Sequence, residues 1–538
     1  MKRKLFTALM FFYALSGIAR ENIVFGLYTD RDLYASGETL MIKVFAPTDE
    51  QTGIVNIDLI SSRSSRIITG VILEIIDYQA DGYISLPDSL SSGCYLLRTS
   101  TRSSGIQTIK EVYIVNRFTG ISGANEVLRP AGVIPVTETQ IQTIKFNGVS
   151  QSYKRREHED ASIHLSDDLL SQIDGNVCVS IAKVAPSFHP MTFTVNMKSA
   201  PGQIIEKEGI ILEGVVTDLK TALPFKDATV YLSILDSLPW FEYYISGEDG
   251  RFFFHLKRYY GKIPVVLQCY DKANNRQLKI TLVDSESLRS QLPTVEIKSL
   301  PPELKKEVLK YTETVTIRKI FDQQEITIPP RRMPKHGNYP FYGIPTNILD
   351  SKLFIDLPDF NEISRELLPG VKFRTYNRIP TLQVLNTSMR NYFNDSPLVL
   401  LDGIPVRDLN VIKDLGSKMI SRVEICLNER FYGDLIFSGV VAIYTLKADY
   451  AQIPESYDLI KLNLDVIQQS ATLNFNPGQM ITEPDLRQVL LWKPSLKPEK
   501  TIPVDFQTSD VKGSYKLMLR GKIKNGAHFF NEQIFEVK

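Results

Sequence analysis

The residues best suited to chemistry stand far apart in this sequence. His158, Glu159 and Asp160 are adjacent, and His164 follows six positions after His158. A zinc-binding His-Glu-x-x-His motif needs its two histidines four apart on one helical face, with the glutamate as general base. Here the second histidine falls in a strand-like run, so the cluster reads as a polar strand edge and no metal site is expected. His189, His255, His336 and His528 are isolated from one another and from carboxylates at motif spacing. Cys94, Cys178, Cys269 and Cys426 form no Cys-x-x-Cys pair, and each lies among apolar or strand-forming neighbours, as in Val177-Cys178-Val179 and Ile425-Cys426-Leu427. They read as buried thiols; a disulfide between two of them is the alternative in an oxidising compartment. No Gly-x-Ser-x-Gly elbow, phosphate-binding loop or dinucleotide-binding glycine turn occurs in the required context. The chain therefore reads as a non-enzyme with no catalytic, cofactor or metal residues.

Composition narrows the class further. With Lys+Arg 62 against Asp+Glu 61, the net charge of +1 provides no global field to recruit nucleic acid or an anionic membrane. Hydrophobic content of 43% is that of a globular protein, and 538 residues exceed what one core organises, so several domains are expected. The N-terminus reads as an export signal: Lys2, Arg3 and Lys4 precede the apolar run Leu5 to Leu15, and Gly17 and Ala19 suit cleavage after Ala19. An uncleaved anchor is the alternative, although the run is shorter than the roughly 20 residues that span a bilayer. No cysteine follows it to carry a lipid, and no later segment is apolar enough to cross a membrane. The expected mature protein is exported and soluble or peripherally bound in the cell envelope.

Alternation of apolar and polar residues, broken by Pro, Gly and Ser, predicts β-sandwiches over much of the chain. Residues 20–120 follow this pattern, with Leu40 to Phe45 and Tyr95 to Arg98 as clear strands. Their segment Thr29-Asp30-Arg31-Asp32-Leu33-Tyr34-Ala35-Ser36-Gly37-Glu38, followed by Gly93-Cys94-Tyr95-Leu96-Leu97-Arg98, resembles the macroglobulin-like domain of the alpha-macroglobulin family. It is most similar to the versions found in envelope proteins of Bacteroidota. Residues 130–200 read as a second sandwich, with the mixed-charge stretch 154–160 as a solvated edge. Residues 205–290 contain the strands Gly209 to Val216 and Ala228 to Ile234, then an Asp249-Gly250 turn before Phe252-Phe253-Phe254. That order resembles the carboxypeptidase-regulatory-like domain, which implies a transthyretin-like spacer without catalytic residues.

Residues 291–345 read as a Pro-rich extended linker with a short helix between Glu303 and Thr312. Residues 346–447 change character to α+β: a helix from Phe360 ending at Pro369-Gly370, a buried strand Pro397 to Leu401 entering an Asp402-Gly403 turn, a helix between Asp408 and Leu415, and strands Met419 to Cys426 and Gly439 to Thr445. The motifs Leu400-Leu401-Asp402-Gly403-Ile404-Pro405, Ile420-Ser421-Arg422-Val423-Glu424-Ile425 and Gly439-Val440-Val441-Ala442-Ile443-Tyr444-Thr445 resemble the plug domain of TonB-dependent outer-membrane receptors. The resemblance marks Leu401, Asp402, Gly403, Pro405, Glu424 and Gly439 as structural or binding positions. Only 91 residues follow Lys447, so no receptor barrel is expected, and no TonB box is seen. Residues 448–538 read as a C-terminal sandwich with an Asn525-Gly526 hairpin.

The expected fold is thus mainly β and multi-domain, with immunoglobulin-like and transthyretin-like sandwiches plus one α+β plug-like domain. The expected function is a non-catalytic scaffold or adaptor at the outer membrane, whose partner is an outer-membrane or periplasmic protein such as a β-barrel. The alternative is an alpha-macroglobulin-like protease inhibitor with its bait in the 291–345 segment. It would lack the family's thioester, since none of the four cysteines is followed by Gly-Glu-Gln.

Overall fold

The computed structural model describes residues 24–538, excluding the segments 103–104, 120–125, 131–132, 186–187, 197–203, 236–239, 274–275, 284–294, 300–301, 321–325, 329–338, 351–355, 451–452 and 474–482 and the single positions 49, 63, 65, 189, 449 and 470. The export segment 1–19, His189 and His336 lie outside the described residues. The chain is mainly β and divides into two compact units, 1–209 with 285–331 and 467–538, and 210–284 with 332–466.

The first unit contains two sandwiches. In the first, Gly26–Thr29, Thr39–Phe45 and Gln79–Ser85 form one sheet, and a larger sheet runs through Ile54–Ser61, Gly93–Ser100 and Ile106–Val115. Leu40, Ile42 and Val44 alternate inward on one sheet and meet Val55, Ile57 and Leu97 of the other, all fully or almost fully buried. Thr192–Asn196, expected in a separate sandwich, extends this larger sheet by pairing with Ile106–Val115. The rest of the 130–200 segment does not close a sandwich by itself. Val177–Lys183 lies between Gly513–Lys522 and Val489–Leu496, and His158–His164 pairs along its length with Thr501–Gln507. The segments 130–200 and 448–538 therefore share one core, in which Val179, Ile181, Leu517 and Phe535 meet.

The 291–345 segment also departs from the extended linker that its prolines suggest. Pro302–Ile320 is a 19-residue helix. It buries Val308, Tyr311 and Val315 against Leu33, Ala35 and Tyr113 of the first sandwich. Tyr311 and Arg318 of this helix both reach the buried carboxylate of Glu38, at 2.6 Å each.

The second unit begins with a sandwich of Ile210–Asp218, Arg251–Leu256 and Leu278–Leu282 in one sheet and Trp240–Ile245, Thr229–Ile234 and Lys262–Tyr270 in the other. Leu459–Asp465, from the segment expected to build a C-terminal sandwich, completes the second sheet beside Lys262–Tyr270. The α+β part follows. Asn347–Asp350, Ile420–Cys426, Val440–Thr445, Leu398–Leu401 and Ile404–Pro405 form a five-stranded sheet in that order. Asp359 caps the helix Phe360–Leu367 by accepting from the Glu362 amide at 2.9 Å. Phe360 and Ile363 of that helix pack with Val423, Ile425 and Val441 in the core, together with Phe373 and Leu382 of a small antiparallel meander.

Candidate functional site

The six positions singled out in the α+β part lie on or beside one sheet. Leu401 is fully buried and pairs with Ile404 across the tight turn and with Ile443 on the neighbouring parallel strand. Asp402 and Gly403 make the turn with positive φ values of 51° and 86°. The Asp402 carboxylate then accepts from the Thr445 amide and hydroxyl, both at 2.7 Å, tying the turn to the end of the next strand. Pro405 is buried, and its carbonyl accepts from Gln268 Nε2 of the preceding sandwich at 2.8 Å. Gly439 has φ +87°, and a Cβ there would meet Val384 Cγ1 at 2.8 Å and the Cys426 carbonyl at 2.9 Å. Only glycine fits that strand entry without strain.

Glu424 is the one charged member with a wider network. It is 6% exposed and accepts from the Tyr342 hydroxyl at 2.5 Å. Its other oxygen meets Arg422 Nε at 2.9 Å, and the Arg422 guanidinium lies 3.9 Å from the Tyr444 ring centroid. Burial pushes the Tyr342 hydroxyl well up, and Tyr444 and Glu424 push it further, so it serves as a neutral donor. Tyr342 was not among the residues marked from sequence, because it falls in the stretch read as linker. The Tyr342 hydroxyl also lies 3.0 Å from the Tyr444 hydroxyl, so hydrogen bonds and the ion pair link the whole group.

A cleft of about 190 Å³ lies beside Pro405, where the α+β part meets the sandwich. Tyr231, Tyr270, Val406, Arg407, Ile453 and Leu459 are among its lining. Arg407 stacks over the Tyr270 ring at 4.7 Å, and the Tyr231 and Tyr270 hydroxyls hydrogen-bond to each other. Cys269 also borders it, but burial pushes the thiol well up and holds it protonated. The cleft combines aromatic and apolar walls with the side chains of Arg407, Asp408 and Asp458.

Elsewhere, His158, Asp160 and Asp505 bring one ligand atom each to within 4.8 Å of one another. All three are exposed, and Asp160 stands directly opposite Asp505 in the ladder. Among the described residues, 158–161 pair on one side only, with 504–507, while His164 lies at the far end beside Thr501. The two histidines of the sequence cluster are thus kept apart. The four cysteines are all buried and no disulfide joins them.

The surface of the α+β part carries more than the motif does. Asn347–Asp350 forms an edge of the five-stranded sheet, with Ile348 61% exposed and Ile344, just before it, 62% exposed. Among the described residues no strand lies on its outer side. The short hairpin Arg430–Tyr432 and Leu435–Phe437 sets Phe431 opposite Ile436, at 68% and 64% exposure. These features were missed in the sequence, since a short edge strand is indistinguishable there from a buried one.

No family model and no curated protein matches the chain. Among solved structures it is similar to Salmonella alpha-2-macroglobulin reacted with methylamine, at 8% identity and a TM-score of 0.22, covering 96% of this chain and 39% of that one. It is also similar to the native conformation of E. coli alpha-2-macroglobulin, at 10% identity and a TM-score of 0.15, covering 97% of this chain and 23% of that one. A third likeness is to dimeric latent PorU from Porphyromonas gingivalis, at 9% identity and a TM-score of 0.15, covering 48% of this chain and 34% of that one. The chain spans less than half the length of each of these proteins, and at such scores the likeness assigns no function.

Proposed function

We propose that the protein is a non-catalytic scaffold or adaptor of a bacterial cell envelope, held at the outer membrane and working through protein–protein contacts. The observation that carries this reading is the open edge strand Asn347–Asp350 with its exposed Ile344 and Ile348. A partner strand can add to such an edge along its outward backbone groups, with side-chain pockets giving specificity. The plug-like motif residues support the edge: Glu424 pairs with Ile348 in the ladder and is itself locked by Tyr342 and Arg422. The sandwiches of the first unit act as spacers in this account. A photo-crosslinking residue at position 348 tests it, because strand addition places the partner within reach of that side chain.

The protease-trapping alternative would need its bait between 291 and 345, and within that stretch Pro302–Ile320 is a docked helix. Limited proteolysis separates the two readings. Cleavage that compacts the protein around the protease would favour trapping, and cleavage that leaves two stable halves would favour the adaptor.

A further inference from the structure

The meander of Val371–Tyr376, Ile379–Asn386 and Asn391–Tyr392 has one covered face and one open face. Phe373 pairs with Leu382 and Val371 with Val384, and all four are buried. Side chains alternate across a strand, so Lys372, Arg374 and Tyr376 share the opposite face with Ile379, Thr381 and Gln383. Tyr392, opposite Leu385, continues that face, and Lys372 Nζ lies 5.4 Å from the Tyr392 ring centroid. At the tip, Tyr376 and Ile379 are cross-strand partners, 75% and 66% exposed, while Met389, 73% exposed, lies in the turn at the opposite end of the meander.

The charge on this element is one-sided. Residues 371–392 carry Lys372, Arg374, Arg378 and Arg390 and no aspartate or glutamate, in a chain whose net charge is only +1. None of the four cations forms an ion pair among the described residues. Exposed aromatic and aliphatic side chains beside unpaired cations match an anionic lipid surface, where apolar groups enter the headgroup boundary and cations meet phosphates. The spacing agrees. Arg374 stands two residues behind Tyr376, about 7 Å along the strand, within the roughly 5–10 Å that interfacial groups penetrate. Arg378 lies in the turn itself, where its long stem lets the guanidinium rise to the phosphate level.

We propose that the tip of the 371–392 meander, around Tyr376, Arg378 and Ile379, docks the protein on an anionic lipid surface. This is independent of the strand-edge reading, which can fail without it. The test is co-sedimentation of the full chain with phosphatidylcholine vesicles, with and without phosphatidylglycerol, at physiological salt. Binding to the anionic vesicles alone is expected. Arg374→Glu with Arg378→Glu should weaken it by about 25-fold or more, counting about fivefold for each cation lost. Tyr376→Ser with Ile379→Ser should weaken it by about tenfold, and both pairs should leave the thermal midpoint unchanged because the tip is solvent-exposed. Absence of binding, equal binding to neutral vesicles, or unaltered binding by both pairs would overturn the proposal. So would displacement by soluble polyglutamate with the Tyr376/Ile379 pair bound as wild type, which would mark an acidic protein as the occupant.

Discussion

Replacing Glu38 should unfasten the helix Pro302–Ile320 from the first sandwich. The Glu38 side chain is fully buried, with Arg31 Nη2 at 3.1 Å and Arg318 Nη2 at 2.6 Å from one oxygen. The other oxygen accepts from the Tyr311 hydroxyl at 2.6 Å and the Ala35 amide at 2.7 Å. Burial pushes this carboxyl up, but the two guanidiniums and these hydrogen bonds outweigh it and hold it below the usual range. Glu38→Gln keeps the shape and can still accept one bond, while the Arg31 and Arg318 side chains, 4% and 6% exposed, lose their shared carboxylate. Removing one partner from such a buried network costs about 3–5 kcal/mol. In a unit of this size that lowers the midpoint of its unfolding transition by on the order of 10 °C. Calorimetry of the variant reads the shift, and limited proteolysis should show new cuts within 302–320. A midpoint within about 2 °C of wild type, with the helix still protected, would refute this account of the motif.

Further outcomes follow from other buried groups. Burial pushes the Asp30 carboxyl from 3.8 up to about 6, against Arg31 and the hydrogen bonds from Tyr34 and Met41. The native state therefore holds this proton more tightly than the unfolded chain, so its contribution is full below pH 3.8 and lost as pH rises toward 6. Asp30→Asn should remove about 3 kcal/mol of that pH dependence, read from thermal unfolding across this window; an unchanged slope would contradict it. Burial pushes His528 the other way, so its contribution is full above pH 6.5 and declines as pH falls below it. Asp402→Ala leaves the Thr445 amide and hydroxyl without their acceptor and should cost about 2–4 kcal/mol by denaturant titration. Gly439→Ala meets both positive φ and the Val384 contact and should cost a similar amount, about 2–4 kcal/mol. Burial pushes the Cys178 thiol up to about 12, so a thiol reagent should leave the native protein unmodified and titrate all four cysteines in denaturant. A count below four would reveal a disulfide.

Local features were readable in the sequence, and long-range pairing was not. The Asp402-Gly403 turn and the Gly439 strand entry are written in single residues whose backbone preferences allow little else. The alternation in Leu40 to Phe45 shows which side chains face a core. It does not show that Val177–Lys183 finds its neighbours more than 300 residues later, because period-two strands carry no address. Helix Pro302–Ile320 was read too short because Thr314, Val315, Thr316 and Ile317 are β-branched and weaken helix propensity. Packing of Val308, Tyr311 and Val315 and the bonds to Glu38 override that local preference. Asp402 and Glu424 were marked from sequence as structural or binding positions, and the structure shows the hydrogen bonds that each makes.

The most direct test of the adaptor reading is photo-crosslinking from position 348 in intact envelopes, with position 223 as an equally exposed control, since Ile348 and Leu223 are 61% and 65% exposed. The account predicts one dominant adduct with an envelope protein from position 348, none from 223, and loss of the adduct when Ile344→Lys charges the same edge. Adducts of equal yield from both positions, or no adduct from 348, would contradict it.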